Sequence, residues 1–167
     1  MAKLIHTCPR AVIKAFIDAF SAWNPTVTIK PAGSYRRGKD KMKDVDLIIV
    51  EYQLADLKFK CPAEIVTNGD KHRIKRVEFR GYDFTVDLYF VEKRHLPFAM
   101  MRFTGNKDHN IGLSRIAMEK GWLLNQYGLF HRNPDGSAGN IVDPNIKSEK
   151  AIFEKLGHKY KPPSGRN

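Results

Sequence analysis

The chain has 167 residues, 42% of them hydrophobic. That is enough for one compact domain or two small ones and too apolar for a disordered chain. Lys and Arg number 29 against 18 Asp and Glu, a net charge of +11 that favours a polyanionic partner, nucleic acid before an anionic membrane. The longest apolar run, near VDLIIV, is far short of a spanning helix, and the start, MAKLIHTCPR, lacks the apolar h-region of a signal peptide. Cys8 and Cys61 have neither metal-ligand spacing nor the pattern of a disulfide framework, and the six histidines form no HExxH. The expectation is a soluble intracellular protein without a zinc site.

Residues 9–23, PRAVIKAFIDAFSAW, read as a helix with Pro9 in its first turn and Val12, Phe16, Phe20 and Trp23 at helical spacing. PTVTIKPAG is a short strand entering a turn, and DVDLIIVEY a buried strand. Residues 63–67, 73–80 and 82–91 read as three more strands, with RGYD making a tight hairpin between the last two. Helices follow over 96–103 and 106–120, broken at Thr104-Gly105. GWLLNQYGLFHR is a hairpin, NPDGSAGN a turn-rich loop, and SEKAIFEKLG a helix capped by Ser148 and stopped by Gly157. HKYKPPSGRN is a basic tail. The pattern changes near residues 93–97. It predicts an α+β domain with a mixed sheet over 1–95 and a smaller, mainly helical domain over 96–167.

The chemistry concentrates in GSYRRGKDKMKDVDLIIV, residues 33–50. Alternate residues of a strand share a face, so Asp44 and Asp46 point together, with Val45 opposite. Two neighbouring carboxylates repel and are costly to desolvate, and a hard divalent cation is the natural compensation. DFTVDLYF supplies a third carboxylate, Asp87, in a strand with matching apolar flanks. D-x-D spacing alone is common at solvated strand edges; the surrounding residues make the difference. Gly33 lets backbone N–H groups approach a phosphate, Ser34 can donate a hydrogen bond, and Arg37 a bidentate one. A short helix starting at Tyr35 would add an anion-binding end. Together these residues read as a nucleoside triphosphate site.

The same stretch resembles the nucleotidyltransferase signature of the family X DNA polymerases, the group of DNA polymerase beta. VDLYF is similar to the strand holding that family's third aspartate. FTGNKDHNIGLSRIAMEKGWLLNQYGLF is similar to the start of its thumb, and SEKAIFEKLGHKYKPPSGRN to its C-terminal end. The four matches occur in the family's order and span most of the chain. The resemblance implies a palm at 1–95 and a thumb at 96–167, with Asp44, Asp46 and Asp87 as catalytic ligands of two Mg²⁺ ions, for which Mn²⁺ can substitute. It implies triphosphate contacts at Gly33, Ser34 and Arg37, a turn beneath the nucleotide sugar at Phe103, Thr104 and Gly105, and a minor-groove contact to the incoming base at Asn110. Substrates would be a dNTP and the primer and template of gapped or nicked DNA. The protein would be a monomer. It resembles the smallest members, some of them viral, which lack the N-terminal lyase domain, and no lyase activity is expected.

Several positions depart from the family pattern. Arg102 stands for a tyrosine before the Phe-Thr-Gly turn and Lys43 for a glycine before the first aspartate; both are placed with the nucleotide contacts. Ser114 replaces an arginine that reads the template minor groove, with Arg115 adjacent. Thr85 replaces an arginine two residues before the third aspartate, and Thr7 one two residues before the first helix's proline. For DNA, the helix 106–120 offers Asn106, Asn110, Ser114 and Arg115. KHRIKRVEFR offers Lys75 and Arg76 among its five cations, and a solvated strand face is the alternative there. RHLPF and the tail are further phosphate candidates. Two other readings stay open: another nucleotidyltransferase on the same palm, a terminal or RNA nucleotidyltransferase, and a non-catalytic basic DNA-binding protein.

Overall fold

The computed structural model describes residues 7–51 and 57–167. The chain divides into two compact units, one ending at Lys93 and the other beginning at Arg94.

The first unit opens with a two-residue strand β1 (Cys8–Pro9) and helix α1 (Arg10–Trp23). Pro9 is the extended residue preceding the helix rather than part of its first turn. Ile13, Phe16, Ile17 and Phe20 are buried, a three-and-four spacing that sets one face of α1 against the sheet. Next come β2 (Thr28–Pro31), a one-turn helix α2 (Gly33–Arg36), β3 (Lys41–Met42), β4 (Asp44–Val50), β5 (Ala63–Asn68), β6 (His72–Phe79) and β7 (Tyr82–Val91). The main sheet has the order β2-β4-β7-β6-β5, and β1 pairs with β3 beside it. Only β4 and β7 are parallel among these pairs; the rest are antiparallel. The β6–β7 turn is Arg80-Gly81, both at positive φ, the geometry that matches the twist of a two-residue hairpin.

One face of the sheet carries Val45, Leu47, Ile49, Val77, Phe84, Val86 and Leu88 into the core with α1. The alternate residues, Asp44 and Asp46 of β4 and Thr85, Asp87 and Tyr89 of β7, therefore lie on the opposite face. Phe16, Phe20 and Phe84 are buried core side chains.

In the second unit, a 3-10 turn (Lys93–His95) leads into α3 (Leu96–Thr104), α4 (Lys107–Glu119), β8 (Trp122–Asn125), β9 (Gly128–Arg132), β10 (Ala138–Ile141) and α5 (Glu149–Leu156). Ser148 caps α5 by accepting from Ala151 N–H at 3.1 Å, and Gly157 ends it in the left-handed region. Phe98, Met101, Leu113, Leu129, Ile152 and Phe153 are part of the core. The stretch NPDGSAGN is only half a loop. Asp135 accepts from Ser137 N–H and Oγ to close a turn, and Ala138–Ile141 then pairs with β9 as a third strand. Among the described residues no helix is long and apolar enough to cross a membrane.

Candidate active site

Asp46 and Asp87 are direct partners in the parallel β4–β7 register, and Asp44 pairs with Thr85 one step earlier. The period of the strands, not a loop, thus brings the three carboxylates to one face. Burial, then the charges of Asp44 and Asp87, push the Asp46 carboxyl up to about 7. Burial also raises Asp87. Such a pair gains from a cation. Among the described residues, however, no three His, Cys, Asp or Glu groups are gathered as a ready metal cage. Two of the carboxylates are occupied within the sheet. Asp87 Oδ1 lies 2.9 Å from His72 Nε2, and Tyr89 donates its hydroxyl to Asp46 Oδ1 at 3.3 Å. The His72 and Tyr89 rings stack with centroids 4.5 Å apart and planes 6° from parallel.

The triphosphate residues lie beside β4. Ala32 N–H donates to the Asp46 carbonyl at 2.9 Å, tying the Gly-Ser turn to the aspartate strand. Gly33 has φ +52°, and a Cβ there would collide with Asp46 Oδ2; only glycine lets the backbone pass this close. The helix begins at Gly33 rather than Tyr35 and is a single turn. Arg37 donates to Ser34 Oγ at 2.9 Å, and its buried Nε makes no hydrogen bond among the described residues. Arg10 fixes the turn from α1: its guanidinium donates to the Tyr35 carbonyl at 2.6 Å and lies 4.1 Å from the Tyr35 ring centroid. Lys43 is exposed next to Asp44.

In the second unit, Phe103 is half-buried, and Thr104 and Gly105 are buried where α3 ends. Asn110 donates from Nδ2 to the Arg102 carbonyl at 2.7 Å, which leaves Oδ1 as an acceptor. Arg102, Asn110 and Ser114 share a small pocket with Asn125. Arg115 is exposed. Asn106 is not available to DNA through its side-chain oxygen, which caps α4 by accepting from His109 N–H at 3.0 Å.

Comparisons with known proteins match both units of the chain to one family. The family described as DNA polymerase beta palm matches residues 9–80, and that described as DNA polymerase beta thumb matches residues 99–167. The chain belongs to the family X DNA polymerases. Repair DNA polymerase X of African swine fever virus is 28% identical over 146 residues, covering 83% of this chain and 80% of the viral protein. The DNA polymerase/3′-5′ exonuclease PolX of Bacillus subtilis is 31% identical over 117 residues, 67% of this chain but 20% of that protein. The ternary P/T complex of Leishmania infantum polymerase beta superposes with a TM-score of 0.80 at 22% identity, over 96% of this chain and 77% of that one. That likeness carries the family X fold.

Sequence reasoning missed His72 and Tyr89. A signal existed: Tyr89 lies two residues beyond Asp87, so it shares that aspartate's face, and His72 is its partner on β6. The two DNA-binding candidates of β6 divide between faces. Lys75 rests its ammonium 4.7 Å from the Phe59 ring centroid, while Arg76 is exposed and pairs with Thr85 on the aspartate face. The tail is also partly structural. Arg166 is 1% exposed, donates to Glu149 Oε1 at 2.8 Å and to the Lys161 carbonyl at 2.8 Å, and lies against Phe153 and Tyr160. It is a core residue, not a phosphate contact.

Proposed function

We propose that this family X enzyme is a template-directed, repair-type DNA polymerase that fills short gaps, transferring a nucleotide from a dNTP to a primer 3′-hydroxyl and releasing pyrophosphate. The observation that supports it most is Asp46 facing Asp87 across parallel strands, with Asp44 on the same face and the Gly33–Ser34–Arg37 turn hydrogen-bonded to that strand.

Asp44, Asp46 and Asp87 would hold two divalent cations, Mg²⁺ with Mn²⁺ as substitute, in this reading; their shared face and the raised carboxyls of Asp46 and Asp87 fit such ligands. When bound, the cations supply Lewis acidity toward the hydroxyl and neutralise the triphosphate. Ser34 accepts from Arg37, so its own O–H stays free to donate to a phosphate oxygen. Arg37 places its positive charge beside that oxygen and stabilises the negative charge that builds on departing pyrophosphate. Asp87 accepts the proton of the primer hydroxyl, whose oxygen bonds to the α-phosphorus as the bond to pyrophosphate breaks. Phe103, Thr104 and Gly105 support the nucleotide sugar, and Asn110, held by the Arg102 carbonyl, reads the base edge. Lys43, Arg102, Ser114 and Arg115 are assigned supporting contacts to nucleotide or DNA. The enzyme acts as a monomer on gapped or nicked DNA.

The test is extension of a labelled primer across a one-nucleotide gap with Mg²⁺, each dNTP singly and all four template bases. Addition should follow the template and vanish in Asp44→Ala. Wild-type rates in that variant would refute the assignment, and addition indifferent to the template would indicate a terminal or RNA nucleotidyltransferase.

A further inference from the structure

In-line displacement puts the entering and leaving oxygens on opposite sides of the phosphorus. The triphosphate residues occupy one flank of β4: α2 follows β2, the strand on that side, and packs on β4. The nucleophile must then enter over the other flank, where β7 and β6 lie.

On that flank a row of side chains crosses the sheet. Asp44 pairs with Thr85 and Thr85 with Arg76, so all three share the face opposite α1. Neighbouring strands lie about 4.8 Å apart, which puts the Arg76 backbone about 10 Å from that of Asp44. An extended arginine can reach back across this span with one nucleotide seated between. The space exists: Lys43, Asp44, Arg76, Asp83, Phe84 and Thr85 line a cleft of about 300 Å³. Arg76 is exposed, and among the described residues its guanidinium enters no ion pair or hydrogen bond, although Glu64 stands opposite it on β5. Thr85, between the two, is too short to fill the cleft.

We propose that Arg76 holds the phosphodiester of the primer's 3′-terminal nucleotide by a two-pronged guanidinium contact, so that the hydroxyl of that nucleotide arrives at Asp44 from the β6 flank. The proposal rests on the polymerase reading above. It separates Arg76 from Lys75, which shares its sequence context but lies on the other face.

The experiment uses a primer–template whose terminal primer linkage is a neutral methylphosphonate, with wild type, Arg76→Ala, Arg76→Lys and Lys75→Ala. Binding is followed by fluorescence anisotropy and turnover by single-nucleotide addition. The modification should weaken wild-type binding about tenfold, the scale of a lost hydrogen bond to a charged group. Arg76→Ala should bind the unmodified primer about as weakly and ignore the modification, with the dNTP KM unchanged and a binding slope against log salt lowered by about one. Arg76→Lys should recover part of the loss, and Lys75→Ala should behave as wild type. Moving the methylphosphonate one linkage upstream should restore the difference between wild type and Arg76→Ala. A wild type indifferent to the terminal modification overturns the proposal whatever the variants do. So does an Arg76→Ala protein as sensitive as wild type, or sensitivity that disappears in Lys43→Ala instead. A wild type that binds with the expected sensitivity but adds no nucleotide refutes the polymerase reading and leaves the phosphate contact standing.

Discussion

Gly33 lies so close to Asp46 that any Cβ at position 33 would take the space of the aspartate's Oδ2. The two residues are also tied through the backbone, by Ala32 N–H to the Asp46 carbonyl. Phosphate turn and carboxylate strand therefore form one rigid piece. Gly33→Ala should push Asp46 off its position and strain a residue at positive φ. Nucleotide addition should fall roughly 100-fold, the scale of a 1 Å misplacement, with stability lower by about 1–3 kcal/mol. Primer extension beside circular-dichroism melting checks this; an alanine variant with full activity would mean the turn does not set the aspartate.

The raised carboxyl of Asp46 sets a pH dependence of stability. Its folded pKa of about 7 lies above the ordinary carboxylate value. As pH climbs from about 4 to 7, Asp46 ionises in the unfolded chain before it does in the folded one, so the metal-free fold loses stability over that window. Asp46→Asn should remove the loss. In chelator, the variant should melt above wild type at pH 8 by on the order of 2 kcal/mol, and the difference should close at pH 4. Mg²⁺ should raise the wild-type melting temperature at pH 8 and have little effect on the variant. A variant less stable than wild type at pH 8 contradicts this account.

His72 and Tyr89 orient two carboxylates from one stacked pair. Removing a partner of a metal-binding carboxylate commonly costs 10–100-fold in metal affinity. His72→Phe should cost about tenfold in Mn²⁺ affinity, read by electron paramagnetic resonance titration without DNA. His72→Gln, which keeps a hydrogen bond to Asp87, should stay near wild type. Tyr89→Phe removes the hydrogen bond that lowers the Asp46 pKa, so its Mn²⁺ binding should require a higher pH. Unchanged Mn²⁺ isotherms in His72→Phe and Tyr89→Phe would show that the pair only packs.

Arg166 is a buried cation held by Glu149 beside Phe153. Arg166→Ala removes a buried cation and breaks its ion pair with Glu149, which typically costs about 3–5 kcal/mol. Urea unfolding should show this, and Arg166→Met combined with Glu149→Gln should regain much of it. A loss no greater than about 0.5 kcal/mol would mean Arg166 behaves as a surface residue.

Much of the site was legible because β-structure has a period of two. The spacing of Asp44 and Asp46 is enough to put them on one face, and Asp87 announces itself by lying within an apolar strand. Gly33-Ser34 and Arg37 carry their own chemistry. What stayed hidden depends on partners distant in sequence. AGNI, 138–141, has weak strand character and becomes β10 because β9 offers an edge. Asn106 also caps α4 through its side-chain oxygen, a role that becomes visible only once the helix start is placed. Arg166 reads as solvated tail until Glu149 and two aromatic rings enclose it.

The amino-acid sequence alone determines which residues can carry the chemistry, because strand alternation, glycine's freedom and the charge of each group are local properties. Only the tertiary structure decides how those residues meet. The parallel β4–β7 register sets Asp46 against Asp87, and the antiparallel β6–β7 register brings His72 to Asp87 and Arg76 into the Asp44 row while turning Lys75 to the other face. A shift of one residue in either pairing would leave every local pattern intact and dismantle the site, because it would turn each side chain to the opposite face.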